Sequence, residues 1–145
     1  MASGFHQIPI HSDSIEYTAF VTPDGQYEFL TMPFGLRNAP SVFQRAVMNA
    51  LGNLVNPFVV VYMDDILIVA NNAEEALERL RIVLQVLTDK GFTLNLKKCS
   101  FLKNKIQYLG FEVSGGVMKP NPKKIEALTT LPPPETVTKL RQFIG

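Results

Sequence analysis

Residues 58–70 read FVVVYMDDILIVA, so two adjacent carboxylates, Asp64 and Asp65, stand in the middle of the most apolar run of the chain. An ionised carboxylate taken out of water without a partner costs several kcal/mol or more, so the pair must reach solvent, a cation or a turn. Side chains alternate across a regular strand, and adjacent residues there cannot both meet one ligand. A hairpin tip escapes that rule. With Val59 to Tyr62 and Ile66 to Val69 as antiparallel neighbours, Met63-Asp64-Asp65 becomes the connection and both carboxylates can project into one cleft. Asp is also an ordinary turn residue. Met63 is a poor one, however, and no glycine supplies the positive φ that a tight two-residue connection prefers; such disagreement between local sequence and inferred geometry is expected at a functional site. Two close carboxylates repel unless a divalent cation neutralises them. Their oxygens suit Mg²⁺, which is held through one or two carboxylates plus substrate phosphates.

The flanking sequence predicts the elements that would position this tip. Phe5 to Ile10 and Tyr17 to Val21 read as strands, Pro23-Asp24-Gly25 as a turn, and Tyr27 to Thr31 as the returning partner. Asn38 is placed to cap a helix over Ala39–Leu51, with Pro40 tolerated in the first turn and Val42, Phe43, Ala46, Val47 and Ala50 on one face. Asn71 or Asn72 opens a second helix, with Glu74 and Glu75 in its first turn, Gly91 as its stop, and Ala73, Leu77, Leu80, Leu84 and Leu87 as its inward stripe. Phe92 to Leu96 and Ile106 to Val113 read as strands, and Ser114-Gly115-Gly116 as a turn returning Val117 and Met118. Pro122 starts a short helical segment to about Thr129. Pro132-Pro133-Pro134 forms a semi-rigid connector, and Lys139 to Gly145 opens a last helix.

Composition sets the frame. A chain of 145 residues, 46% hydrophobic and 19% charged, is a single globular domain rather than a disordered one, and one cysteine, Cys99, rules out an internal disulfide framework. The N-terminus has neither a basic n-region nor an unbroken apolar h-region, and the run around Val61 is far shorter than the roughly 20 residues of a membrane span. These features predict an intracellular protein with no signal peptide or transmembrane segment. The net charge of +1 hides an asymmetry: residues 1–92 hold 5 Lys and Arg against 10 Asp and Glu, whereas residues 93–145 hold 9 against 3. Lys97, Lys98, Lys103 and Lys105 could meet a phosphate backbone, or form a solvated face. His6 and His11 lack partners at metal-ligand spacing.

Tyr62-Met63-Asp64-Asp65 resembles the YxDD box of reverse transcriptases. Residues 3–10 (SGFHQIPI), Thr18-Ala19-Phe20, residues 32–40 (MPFGLRNAP) with Phe43-Gln44, and Tyr108-Leu109-Gly110 follow in that family's order and spacing. The series covers essentially the whole chain and is most similar to the polymerase of gypsy-type LTR retrotransposons. The resemblance implies an α+β polymerase palm, an antiparallel sheet packed on two main helices in a ferredoxin-like or RRM-like arrangement. It places the palm over 1–131, with a fingers-side hairpin near 17–31, and a connector leading into the thumb over 132–145. It implies template-directed DNA synthesis by transfer from a dNTP to a primer 3′ hydroxyl, assisted by two Mg²⁺ ions about 3.5–4 Å apart, with Mn²⁺ an alternative.

The same resemblance assigns roles. Asp64 and Asp65 are metal ligands. Phe5 lies under the incoming sugar, Pro33, Phe34 and Gly35 line the nucleotide pocket, Tyr62 and Met63 join them in binding the nucleotide, and Met63 also sits near the primer terminus. Lys98 would protonate the leaving pyrophosphate, which requires a pKa nearer neutrality. Tyr108, Leu109 and Gly110 resemble a primer-holding hairpin, although an alternating strand has the same periodicity. The implied partners are an RNA or DNA template with a DNA primer, a dNTP, and the fingers, thumb and RNase H regions of a parent polyprotein, in the cytoplasm or a virus-like particle. The family's third metal-binding aspartate lies five residues before the sugar-gating aromatic, which falls one position before Met1. The expectation is therefore a truncated palm that is inactive in isolation; the alternative is a retroelement-derived module that keeps the fold for binding or assembly.

Overall fold

The structure, a computed structural model, describes residues 1–122, 125, 126 and 133–144. The fold is α+β, built from antiparallel strand pairs and helices, and the chain divides into two compact units, Met1–Cys99 and Ser100–Gly145.

In the first unit, helices α1 (Ala39–Leu51) and α2 (Ala73–Asp89) pack on each other and on a two-stranded ribbon, β3 (Val59–Tyr62) and β4 (Asp65–Ile68). Helix α1 keeps the expected bounds and buries Ala39, Phe43, Val47 and Leu51, a stripe at every fourth position. Asn38 occupies the N-cap position but its side chain makes no capping bond. Its backbone is already helical (φ −93°, ψ −5°), so the carbonyl does the work, accepting from the Val42 N–H at 3.0 Å and the Ser41 hydroxyl at 2.9 Å.

Helix α2 is capped as expected. The Asn72 side chain accepts from the Glu75 N–H at 2.9 Å, and the Glu75 carboxylate accepts in return from the Asn71 N–H at 2.6 Å and its amide at 3.0 Å. The Asn71 N–H foremost, with the Arg79 guanidinium and the Asn71 amide, holds the Glu75 carboxyl below the ordinary glutamate range against the opposing effect of desolvation. The inward stripe differs from the one expected. Val83 and Leu87 are buried and Ala76, Leu80 and Leu84 half-buried, while Ala73 and Leu77 are exposed. Ala76, Leu80, Val83 and Leu87 recur by four, three and four, and Leu77 is turned about 100° from Ala76; the abundance of apolar residues on α2 allows two neighbouring stripes, and the core takes this one. Gly91 (φ 76°) then stops the helix, with the Phe92 N–H bonded to the Leu87 carbonyl at 2.8 Å.

Two expected strands of this unit are not strands. Gly4–Gln7 is a 3-10 turn, followed only by a single bridge between Pro9 and Thr31; a proline cannot donate to a ladder. Residues 92–95 are not part of a strand, and the Gln7 side chain stands in for a ladder partner. Its Oε1 accepts from the Thr93 N–H at 2.7 Å, and its Nε2 donates to the Thr93 carbonyl at 3.1 Å and to the Ala2 carbonyl. The Ala2 N–H adds a bond to the Thr93 carbonyl at 3.1 Å. The hairpin expected near 17–31 forms, but closer to its turn than expected: β1 (Phe20–Thr22) pairs with β2 (Gly25–Tyr27), leaving Pro23 and Asp24 as the connection. Glu16–Thr18 is a 3-10 turn, and the Thr18 hydroxyl replaces a ladder bond by accepting from the Phe29 N–H at 2.9 Å.

The second unit holds a three-stranded meander, β5 (Lys105–Tyr108), β6 (Phe111–Ser114) and β7 (Val117–Pro120). The single strand expected over Ile106 to Val113 is thus two strands, broken at Leu109 (φ 50°) and Gly110 (φ 82°). Gly115 (φ 56°) and Gly116 (φ 74°) form the expected second turn. Both connections have positive φ at both central residues, the pattern whose twist matches antiparallel strands. Pro122, Ile125 and Glu126 are helical, as expected; the remainder of that segment to Thr129 and the start of the connector lie outside the described residues. Helix α3 (Val137–Ile144) begins two residues before the expected Lys139, and the Thr136 hydroxyl caps its first turn through the Lys139 N–H at 3.2 Å. Among the described residues no helix is long and apolar enough to cross a membrane.

Candidate active site

The ribbon register, Val59↔Ile68 through Tyr62↔Asp65, leaves Met63 and Asp64 as a two-residue loop. Asp65 therefore already belongs to β4, one residue earlier than the sequence suggests. Val59 and Val61 are buried; Val60 and Tyr62 alternate with them toward solvent, and the register puts Asp65 across from Tyr62. The pleat thus explains how the most apolar run of the chain can end in two exposed carboxylates. The conformation needed for the loop is supplied by Met63 itself, at φ 48°. A non-glycine residue in that region costs roughly 1–2 kcal/mol, and such strain gathers at functional sites. Ser3, immediately before the facing Gly4, is also left-handed, at φ 47° and ψ 53°.

Gly4 is buried, and its lack of a side chain allows a close approach. A Cβ built there would stand 2.5 Å from Asp64 Oδ1 and 2.8 Å from Phe43 Cζ. The Asp64 carboxylate consequently lies against the backbone of the 3-10 turn that carries Phe5. Phe5 packs edge-on to Phe43 at 5.7 Å between ring centroids and against Phe34 at 5.2 Å, while His6 meets Phe34 at 5.3 Å. Phe43 is fully buried and touches Phe92 at 6.4 Å, whereas Phe34 is exposed. An aromatic ladder therefore runs from the core out to the surface beside the acidic tip. Sequence reasoning gave Gly4 and Phe43 no role of their own; the signal was a glycine immediately before an aromatic, with a second aromatic on the inward stripe of α1.

The structure brings Phe5, Phe34 and Asp64 into this cluster through Gly4 and Phe43. Pro33 is buried behind the exposed Phe34, and Gly35 (φ 94°) turns the chain in open space. Tyr62 and Met63 are exposed at the ribbon tip. Lys98 closes the 3-10 turn Leu96–Lys98 with an exposed side chain, and no described contact joins it to the cluster. Tyr108, Leu109 and Gly110 belong to the second unit, where Leu109 and Gly110 form the β5–β6 connection and Tyr108 is half-buried.

Among the described residues neither the Asp64 nor the Asp65 carboxylate has a hydrogen-bond or ion-pair partner, although the Asp64 backbone carbonyl accepts from the Met1 ammonium at 3.3 Å, and no group of three His, Cys, Asp or Glu residues is assembled. Two exposed carboxylates at the ribbon tip fit a hard divalent cation that completes its shell with water and phosphate oxygens; they do not form an all-protein cage.

Residues 1–113 match the reverse transcriptase (RNA-dependent DNA polymerase) family, and the chain belongs to it. It is 44% identical to the retrovirus-related Pol polyprotein from transposon 297 and 38% identical to that from transposon gypsy, both of Drosophila melanogaster. Each comparison takes in all 145 residues of this chain and 14% of the polyprotein. The chain therefore spans about a seventh of the length of these relatives. The structure of a foamy viral protease-reverse transcriptase dRH in complex with ds DNA superposes with a TM-score of 0.85 at 29% identity, over 96% of this chain and 24% of that one. The foamy viral protease-reverse transcriptase in complex with an RNA/DNA hybrid gives 0.81 at 29% identity, over 98% and 19%.

Proposed function

We propose that this chain is the palm of an RNA-directed DNA polymerase, with the connector and the start of the thumb over 132–145, and that it transfers a nucleotide from a dNTP to a primer 3′ hydroxyl. The observation that carries this reading is the Asp64 carboxylate, delivered by a strained bend to the foot of an exposed aromatic face. Asp64 and Asp65 would hold the Mg²⁺ ions, with Mn²⁺ as a substitute. When bound, the ions activate the attacking hydroxyl and neutralise charge on the leaving pyrophosphate. Phe5, backed by the fully buried Phe43, offers a flat apolar surface to the sugar of the incoming nucleotide, and a hydroxyl pressed against it would lose its hydrogen bonds. Phe34 and Gly35, exposed above buried Pro33, line the same pocket together with Tyr62 and Met63, and Met63 also faces the primer end. Lys98 is the proton donor to pyrophosphate, and the Tyr108-Leu109-Gly110 turn holds the primer. Complexes of the foamy viral enzyme with ds DNA and with an RNA/DNA hybrid support a nucleic-acid duplex as the partner.

A site for two ions served by two carboxylates alone is under-supplied, so the 145-residue chain by itself is proposed to be inactive and to work inside a polyprotein, in an intracellular setting. The test is primer extension by a polymerase carrying this segment: Asp64→Asn abolishes Mg²⁺-dependent incorporation while leaving the folded structure intact. Incorporation at the unsubstituted rate by Asp64→Asn would overturn the assignment.

A further inference from the structure

The ribbon that presents Asp64 and Asp65 is gripped at its far end by a single side chain of α2. Beyond the β3–β4 ladder, the Val69 N–H donates to the Phe58 carbonyl at 2.9 Å and ties together the residues flanking the two strands. Arg79 lies across this junction. Its Nη1 donates to the Val69 carbonyl at 2.5 Å, and its guanidinium carbon sits 4.8 Å from the centroid of the Phe58 ring. Its Nη2 pairs with Glu75 at 2.5 Å, and Glu75 is itself fixed by the Asn71 N–H. One planar fork thus stacks on the residue entering β3 and bonds the residue leaving β4, a combination that an ammonium cannot reproduce. The guanidinium side chain is only 26% exposed, so these contacts are shielded more than an ordinary surface pair.

We propose that Arg79 is a positioning residue for the acidic tip, which it controls by clamping the base of the ribbon. The ladder has four residue pairs, Val59↔Ile68 to Tyr62↔Asp65. At about 3.3 Å per residue the tip stands about 13 Å from the clamp, and a tilt of about 5° at the base moves the carboxylates by about 1 Å. A misplacement of that size at a reacting centre lowers the rate by up to about a hundredfold. Glu75 sets the plane of the fork and Phe58 gives it a face, so α2 fixes the direction of the ribbon as well as covering the core.

This inference rests on the polymerase reading, and its test separates the two. In a polymerase carrying this segment, Arg79→Met keeps the apolar stem but removes the fork. It lowers kcat about tenfold and leaves KM for the dNTP within about twofold. Arg79→Lys restores less than half of the lost turnover. Gln85→Ala, which removes the 2.8 Å Gln85–Asp89 hydrogen bond of α2 without touching Glu75, Arg79 or the ribbon, leaves kcat unchanged. In the 145-residue chain, Arg79→Met speeds amide exchange at Tyr62 and Asp65 and Gln85→Ala does not. Equal loss of kcat in Arg79→Met and Gln85→Ala, full rescue by lysine, or unchanged exchange at the ribbon in Arg79→Met overturns the clamp. Should Asp64→Asn retain incorporation, the polymerase reading fails instead, and the exchange comparison still decides whether Arg79 holds the ribbon.

Discussion

Replacing Gly4 by alanine puts a methyl group where the structure has no room for one. The new carbon would stand 2.5 Å from Asp64 Oδ1, 2.8 Å from Phe43 Cζ and 3.1 Å from Phe43 Cε2. Against the roughly 3.5 Å at which carbon atoms attract best, the ring is about 0.7 Å too close. The two obstacles respond differently. The Asp64 carboxylate is the far end of a short exposed side chain and can swing away. Phe43 is fully buried between Phe5 and Phe92 and can yield only if α1 moves with it. The ring overlap costs about 1–3 kcal/mol, the usual range for an overpacked core. In a chain of this size that lowers the unfolding midpoint by about 3–10 °C, read by circular dichroism. Displacing Asp64 lowers primer-extension turnover by up to about a hundredfold in a polymerase carrying the segment. Adding Phe43→Leu to Gly4→Ala separates the effects: the shorter side chain vacates the Cζ position and recovers part of the midpoint, while turnover stays low because the Asp64 contact persists. A Gly4→Ala protein that unfolds at the unsubstituted temperature and extends primers at the unsubstituted rate would refute the close approach.

Two further outcomes follow from backbone and charge. Leu109 holds φ 50° at the β5–β6 connection, so Leu109→Asn, which tolerates that region better, raises stability by about 0.5–1 kcal/mol; an unchanged urea midpoint would contradict the strain. Because the Glu75 carboxyl titrates below its ordinary range in the folded chain, its contribution to stability is complete above about pH 4.3 and is lost as pH falls through the depressed folded value. Glu75→Gln therefore shows a shallower loss of stability than the parent chain on acidification below about pH 4.3, and parallel urea-midpoint curves for the two would dismiss that role.

The parts of the fold that are local in sequence were the legible ones. Helix α1 with Pro40 in its first turn, the Asn72 cap, the Gly91 stop and the Gly115-Gly116 turn each follow from residues within a few positions of one another. Alternating apolar residues could not reveal the break at Leu109-Gly110, because hairpin and strand share one period and only Gly110 marks the difference. The inward stripe of α2 was ambiguous because Leu77 and Leu80 serve neighbouring stripes equally well, and contact with the ribbon and α1 decided between them. The exposed bend at Asp64 and Asp65 was legible from the cost of burying two carboxylates, and the missing glycine at position 63 signalled its strain. Gly4 and Phe43 were not legible as partners of Asp64. Their role exists only once the Gly4–Gln7 turn is brought against the ribbon tip, a contact spanning some sixty residues that no periodicity encodes.

The side-chain clamp between Gln7 and Thr93 bridges 86 positions. During synthesis the turn holding Phe5 leaves the ribosome early, yet its anchor follows only after α1, the ribbon and α2 have emerged. Contacts of such high sequence separation form late and slow folding. Until Thr93 arrives, the aromatic face and the acidic bend have no fixed relation, and the nascent chain passes through a stage in which the sticky Phe5–Phe34 surface is unanchored. The geometry of this face is thus fixed only once translation has passed Thr93.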